Sequence, residues 1–258
     1  MRGLSLERPP RWGLIALVLL VAANVALFVL LEDRSDQVVS QADEPPAIAA
    51  VASTPIRPSP TGPTAPSAPP ILAVYGDGYA AGNSQGGVGP AGWPALVARQ
   101  VGATLALHAA PQAGYASVGA RGQDYRGLVQ ASPVPDASVT LLFGSRNDRG
   151  EDVTAVEVNA AQVINTVRTQ SSTTAIVVIG PVWDDGDVPA DVLAARDAVQ
   201  TAAEAASVSF VDPLREGWFV DEQGLISPDE ISPNDQGHQY LAGLISPVVE
   251  QVLTGLDP

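Results

Sequence analysis

From residue 71 onward the chain alternates between short, mostly apolar runs and longer stretches of helical periodicity. The runs are ILAVY at 71–75, TLALH at 104–108, SVTLLF at 138–143, TAIVVIG at 174–180 and SVSFVD at 207–212. Each has strand length and is rich in β-branched or aliphatic residues, and an apolar run without alternation belongs to a strand covered on both faces. Between the runs, helical spacing predicts helices over 93–101, 125–130, 151–169 and 190–206, with a last one from Asn234 that Pro247 should kink or end. Strand and helix in alternation predict an α/β domain over 71–258: three layers around a doubly wound sheet of about five parallel strands. In such sheets ligands bind outside the carboxyl ends of the strands. That rule selects five loops, at 76–92, 109–122, 144–150, 181–189 and 213–233.

The first 70 residues follow a different pattern. Residues 12–31, WGLIALVLLVAANVALFVLL, carry no charge, and twenty helical residues span about 30 Å, the thickness of a bilayer's hydrocarbon core. Arg2, Arg8 and Arg11 precede this stretch while Glu32, Asp33 and Asp36 follow it. The expectation is an uncleaved transmembrane anchor with residues 1–11 cytoplasmic and the rest of the chain extracytoplasmic at the cell membrane, rather than a signal peptide, whose apolar region is shorter. Residues 32–70, with nine prolines after residue 44 among Ala, Ser and Thr, predict a disordered, extended linker reaching at most about 120 Å.

Charge and composition narrow the partners. Twenty-eight acidic residues face thirteen basic ones, all Arg, giving a net charge of −15 that argues against nucleic acid. The absence of cysteine removes disulfides, thiolate metal sites and thiol catalysis. No cofactor and no metal are expected. Asp184, Asp185 and Asp187 form an acidic cluster better explained as a solvated loop than as a cation site. The GxGxxG match at 87–92 starts eleven residues past its strand and contains Pro90, which does not suit a dinucleotide site.

The chemistry lies in four short motifs within the selected loops: Gly76-Asp77-Gly78, Gly114 in QAGYAS, Ser145-Arg146-Asn147-Asp148, and Asp229-Glu230-Ile231-Ser232-Pro233-Asn234. In order and spacing they resemble the sequence blocks of the SGNH, or GDSL-type, hydrolases: G-D-S, a lone Gly, G-x-N-D and D-x-x-H-P. The likeness runs from about Val74 to Leu244 and implies the flavodoxin-like fold of that family. It further implies an acyl-ester site in which a serine attacks, a histidine oriented by an aspartate three residues earlier takes its proton, and preplaced donors hold the oxyanion. Carried over, the nucleophile falls on Gly78, the oxyanion and ligand-binding positions on Asp77, Gly114 and Asn147, the orienting carboxylate on Asp229 and the base on Ser232.

Two of these residues cannot do the work assigned to their positions. Gly78 has no attacking atom, and a serine hydroxyl does not accept a proton usefully near pH 7, as an imidazole does. The resemblance therefore implies a family member with hydrolysis impaired or lost, binding an acyl or glycan ligand of the cell envelope. Asp235-Gln236-Gly237-His238 also fits D-x-x-H, but follows Pro233-Asn234, where the last helix begins, so His238 reads as a packed first-turn residue. The alternatives are an active serine esterase, lipase or carbohydrate deacetylase that uses a displaced Ser84 or Ser117 with His238 as base, and a purely structural envelope module.

Overall fold

The computed structural model describes residues 68–255 apart from Arg121, Ser145, Gln223, Asp229 and Glu230. The expected cytoplasmic segment 1–11, the span 12–31 and all but the end of the linker 32–70 lie outside the described residues. Among those described, no helix is long and apolar enough to cross a membrane. Ala65–Pro258 forms a compact unit of its own.

Five strands build its sheet: β1 (Ile71–Gly76), β2 (Thr104–Ala109), β3 (Val139–Phe143), β4 (Ala175–Ile179) and β5 (Ser209–Val211). They lie in the order β2-β1-β3-β4-β5, and each neighbouring pair is parallel. Successive side chains point to opposite faces, so each apolar run feeds two cores at once. Ala73, Tyr75, Leu142 and Val178 enter one core, while Leu72, Val74, Leu141, Val177 and Ile179 enter the other.

Helices close both faces. On the first lie α3 (Tyr125–Ala131), α4 (Val153–Gln170) and α5 (Ala190–Ala205). The α4 stripe of Val156, Ala160, Val163, Ile164 and Val167 has the 3-4 spacing that puts every member against the sheet. On the second face lie α2 (Trp93–Gln100) and α7 (Asp235–Thr254), the latter through Leu241, Ala242, Ile245 and Val249. Two short helices, α1 (Gly78–Ala81) and α6 (Pro213–Glu216), follow β1 and β5. Sequence periodicity does not reveal them because four residues are too few to show a period.

Two boundaries differ from the sequence expectation. Pro247 does not end the last helix, which runs on to Thr254. Its missing N–H removes one ladder bond, and the buried stripe on either side carries the helix through. The last strand is three residues long rather than six. Ser207, at φ 54°, closes the turn after α5 and cannot be extended, while Asp212 leaves the strand to cap α6, accepting from the Arg215 N–H at 3.1 Å.

The strand order reverses direction of winding between β1 and β3. The crevice beyond their carboxyl ends is where a doubly wound sheet presents a ligand site.

Candidate active site

A cleft of about 260 Å³ opens at that switch point. Its walls come from four loops: Asp77, Gly78, Tyr79 and Asn83 after β1, Pro111 and Gln112 after β2, Arg146 and Asn147 after β3, and Ile231 and Ser232 before α7. Residues far apart in sequence meet here because each lies just past a strand end or at the entry to the last helix. Other surface hollows, of about 360 and 550 Å³, contain none of the motif positions.

Asp77 ends β1 and caps α1, its Oδ1 accepting from the Tyr79 N–H at 2.9 Å. Its Oδ2 accepts from Asn147 Nδ2, also at 2.9 Å. The residue is 2% exposed. Burial pushes its carboxyl up to about 6 from the ordinary 3.8, against the Tyr79 N–H and the Arg146 charge, which both pull it down. Gly78 follows on the cleft wall. A Cβ placed there would meet only Pro111 Cα, at 3.9 Å, so the space a side chain needs is present.

The second wall is set by Asp148. This residue is 1% exposed and accepts three backbone N–H groups, from Tyr115 at 2.9 Å and from Ala116 and Ser117 at 2.8 Å. A carboxylate in this position fixes the whole loop after β2. Gly114 abuts it so closely that a Cβ would fall 2.4 Å from Asp148 Oδ1. The Gly114 N–H, implied by the resemblance to face an oxyanion, donates instead to Ser117 O at 2.9 Å. Asn147 likewise has both amide hydrogens engaged, one on Asp77 and one on Ala113 O at 2.9 Å. In this conformation neither is free to take a developing charge. From this loop Pro111 and Gln112 line the cleft, the latter at φ 65°.

The third wall is the hairpin-like segment before α7. Ile226 and Pro233 form an antiparallel bridge, and the Ser227 N–H donates to Ser232 O at 2.8 Å. Ser232 lines the same cleft as Gly78, its Oγ accepting from Asn83 Nδ2 at 2.8 Å. Asp229 lies outside the described residues, as does Ser145.

Neither histidine lines the cleft. His238 is 1% exposed, in the first turn of α7, where Asn234 caps by accepting from the Gln236 and Gly237 N–H groups at 3.0 Å. Its Nδ1 accepts from the Trp93 N–H at 3.3 Å, capping α2. Gly87, at φ 75°, lies flat on the imidazole: a Cβ there would be 2.0 Å from Nε2. Burial lowers the His238 pKa to about 4, so the ring is a neutral packing and capping group. The glycine-rich run at 86–92 is thus shaped by what it rests on: the Gly87 N–H also donates to Asp235 Oδ1 at 2.8 Å. His108, on β2, stacks on Tyr75 with ring centroids 5.2 Å apart. Of the displaced serines, Ser117 donates its hydroxyl to Gln112 O at 3.4 Å, and Ser84 lies in the exposed turn bridged by Asn83 and Gly86.

A model of the GDSL-like Lipase/Acylhydrolase family matches residues 74–240. The chain belongs to this family. It is 38% identical over 192 residues to a GDSL lipase of Mycobacterium tuberculosis, covering 71% of this chain and 83% of that one. Among solved structures it is similar to a family two carbohydrate esterase from Clostridium thermocellum, with TM-score 0.58, 15% identity, and coverage of 74% of this chain and 67% of that one. It is also similar to an acetyl xylan esterase from the rumen bacterium Butyrivibrio proteoclasticus, with TM-score 0.55, 13% identity, and coverage of 74% and 66%. At such identities the likeness shows the fold alone.

Sequence reasoning passed over two residues of this GDSL-type site. Asp148 stood in the motif but drew no role, although a loop with several consecutive N–H groups calls for an acceptor. Arg146 was only the variable position of G-x-N-D, yet its guanidinium sits in the cleft. Its Nη1 donates to Tyr79 Oη at 2.9 Å, and its Cζ lies 4.4 Å from the Trp183 ring centroid. Trp183 is thereby a cleft-rim residue, while Tyr115, Trp218 and Phe219 are buried in the cores. The acidic loop beside Trp183 is closed locally, the Asp187 N–H donating to Asp185 Oδ1 at 2.8 Å. Among the described residues no group of three His, Cys, Asp or Glu is placed to hold a metal ion.

Proposed function

We propose that this protein is a membrane-anchored, extracytoplasmic member of the GDSL-type hydrolases in which ester hydrolysis is impaired or lost, and whose cleft binds an acyl or glycan ligand of the envelope. The observation that carries this reading is the makeup of one crevice. The nucleophile position is Gly78, the base position is Ser232, and both line the same cleft with neither of the chain's two histidines on its wall. A serine hydroxyl becomes nucleophilic near neutral pH through an adjacent base, and this wall offers no imidazole. Without nucleophile and base, about 10³- to 10⁴-fold acceleration over water is what positioning and oxyanion contacts sustain in a triad hydrolase. That is far below an ordinary enzymatic rate.

The frame that would hold a ligand is intact. Asp77, Asn147 and the Asp148-clamped loop form a connected hydrogen-bond network at the switch point, and the space beside Gly78 is open. Anchoring by residues 12–31 follows from their length, apolarity and flanking charges.

The test offers short-chain nitrophenyl esters and acetylated sugars to the full-length protein and to the double variant Gly78→Ser with Ser232→His. The expected result is negligible turnover by the natural protein and a rise of at least about tenfold in the double variant. Efficient turnover by the natural protein would overturn the reading.

A further inference from the structure

We propose that the cleft selects a small carboxylate, with Arg146 as its charge anchor, rather than a neutral ester or a neutral sugar. This deepens the ligand-binding reading above and rests on it.

Arg146 is a half-buried cation on the cleft wall, and among the described residues it makes no ion pair. Its position is held without one. Nη1 donates to Tyr79 Oη and, at 3.4 Å, to Ile231 O, while the guanidinium packs over Trp183 and stands 5.8 Å from the Tyr79 ring centroid. Tyr79 Oη in turn donates to Ile231 O. Arg146 is therefore bracketed by two aromatic rings and a carbonyl, and neither Nε nor Nη2 has a protein acceptor among the described residues. A guanidinium has five donors in a planar fork that matches the two oxygens of a carboxylate. Holding it half-buried with part of that fork unused leaves a site that an oxyanion completes.

The rest of the wall agrees. Gln112, Asn83 and Ser232 add neutral polar groups around the same space. Among the described residues lining the wall the acidic side chain is Asp77, which is engaged by the Tyr79 N–H and Asn147. Among the described lining residues an anion would meet the Arg146 cation and the neutral groups of Gln112, Asn83 and Ser232. A chain with a net charge of −15 repels anions at long range. Recognition must then come from contact at this point. With about 260 Å³ available, the ligand is small: a short-chain carboxylic acid or a single uronic acid ring. An ester carbonyl of the same shape would accept hydrogen bonds here but bring no charge to Arg146.

The experiment measures binding to the full-length protein, by calorimetry and ligand-observed NMR, of butyrate, methyl butyrate, glucuronate and glucose, at about 20 mM and about 300 mM salt. The expected result is that at least one carboxylate binds about tenfold more tightly than its neutral counterpart, with the preference reduced by salt. Arg146→Gln should remove the preference and Arg146→Lys should retain part of it. The thermal melt of each variant reports whether the fold is kept, and the salt dependence of the natural protein gives a readout needing no variant. Which carboxylate prevails separates an acyl from a sugar source. Equal binding of the neutral and charged members of each pair overturns this inference while leaving the ligand-binding reading standing. An unchanged preference in Arg146→Gln also overturns it, and absence of binding by all four compounds overturns both.

Discussion

Gly78 and Gly87 sit nine residues apart, and they are glycines for opposite reasons. At Gly87 the backbone is left-handed and any Cβ would run into the His238 imidazole. At Gly78 the backbone is ordinary and the space beyond it is open. One is dictated by packing. The other leaves room for a side chain. The same contrast separates the supporting frame from the cleft it surrounds. Gly114 against Asp148, and Gly87 against His238, pack at distances that admit no added atom, whereas a Cβ at Gly78 meets only Pro111 Cα at 3.9 Å.

Substitutions can break this comparison. Gly87→Ala carries the largest expected effect, because it adds a left-handed alanine to an overlap with a fully buried ring. A loss of about 4 kcal/mol or more is expected in a denaturant melt. Gly114→Ala should cost about 2–4 kcal/mol by forcing the Asp148 carboxylate off three N–H groups, and Asp148→Asn about the same, since the amide turns donors toward donors. If either change proves neutral, the clamp on the loop after β2 is not what holds it.

Acidity gives a prediction of intermediate size. His238, ordinarily near 6.5, titrates in the fold at about 4, so between these values the unfolded chain holds a proton the native one lacks. Stability then falls as pH drops through that window. Asp77, ordinarily near 3.8, titrates in the fold at about 6, so here the native state holds the extra proton and stability rises as pH drops. Each slope integrates to about 3 kcal/mol, with opposite signs over nearly the same range, and the two should largely cancel. Melting the protein from pH 4 to 6.5 should give a nearly flat contribution from this pair. Asp77→Asn should expose the His238 slope, with stability falling toward acid. A flat profile in that variant would remove His238 from the account.

The smallest effect is expected at Gly78. Gly78→Ala should leave stability within about 1 kcal/mol of the natural protein, on the favourable side, because it restricts the unfolded chain without meeting a neighbour. A loss as large as at Gly87 would erase the distinction between the two glycines.

Most of the fold was legible because the central strands β1, β3 and β4 are buried on both faces: continuous apolar runs such as SVTLLF leave little choice of environment, and the helices between them carry clear stripes. The ends were less legible, since Ser207 and Pro247 are decided by local turn geometry and by tertiary packing. At the site, the positions of Gly78, Asn147 and Ser232 along the chain foretold that all three line one cleft. What they do there was not legible. The commitment of the Gly114 N–H and of both Asn147 amide hydrogens to the protein itself depends on Ser117, Asp77 and Ala113, which no motif pairs with them. The contact between Arg146 and Trp183 joins residues on two different loops, and only the fold brings them together.

Labelling by a serine-directed fluorophosphonate, read by peptide mass spectrometry, tests the central claim most directly. The full-length protein should remain unmodified under conditions that fully label the Gly78→Ser, Ser232→His variant at residue 78. Stoichiometric labelling of the natural protein at Ser84, Ser117 or Ser232 would show that the cleft holds an activated nucleophile after all.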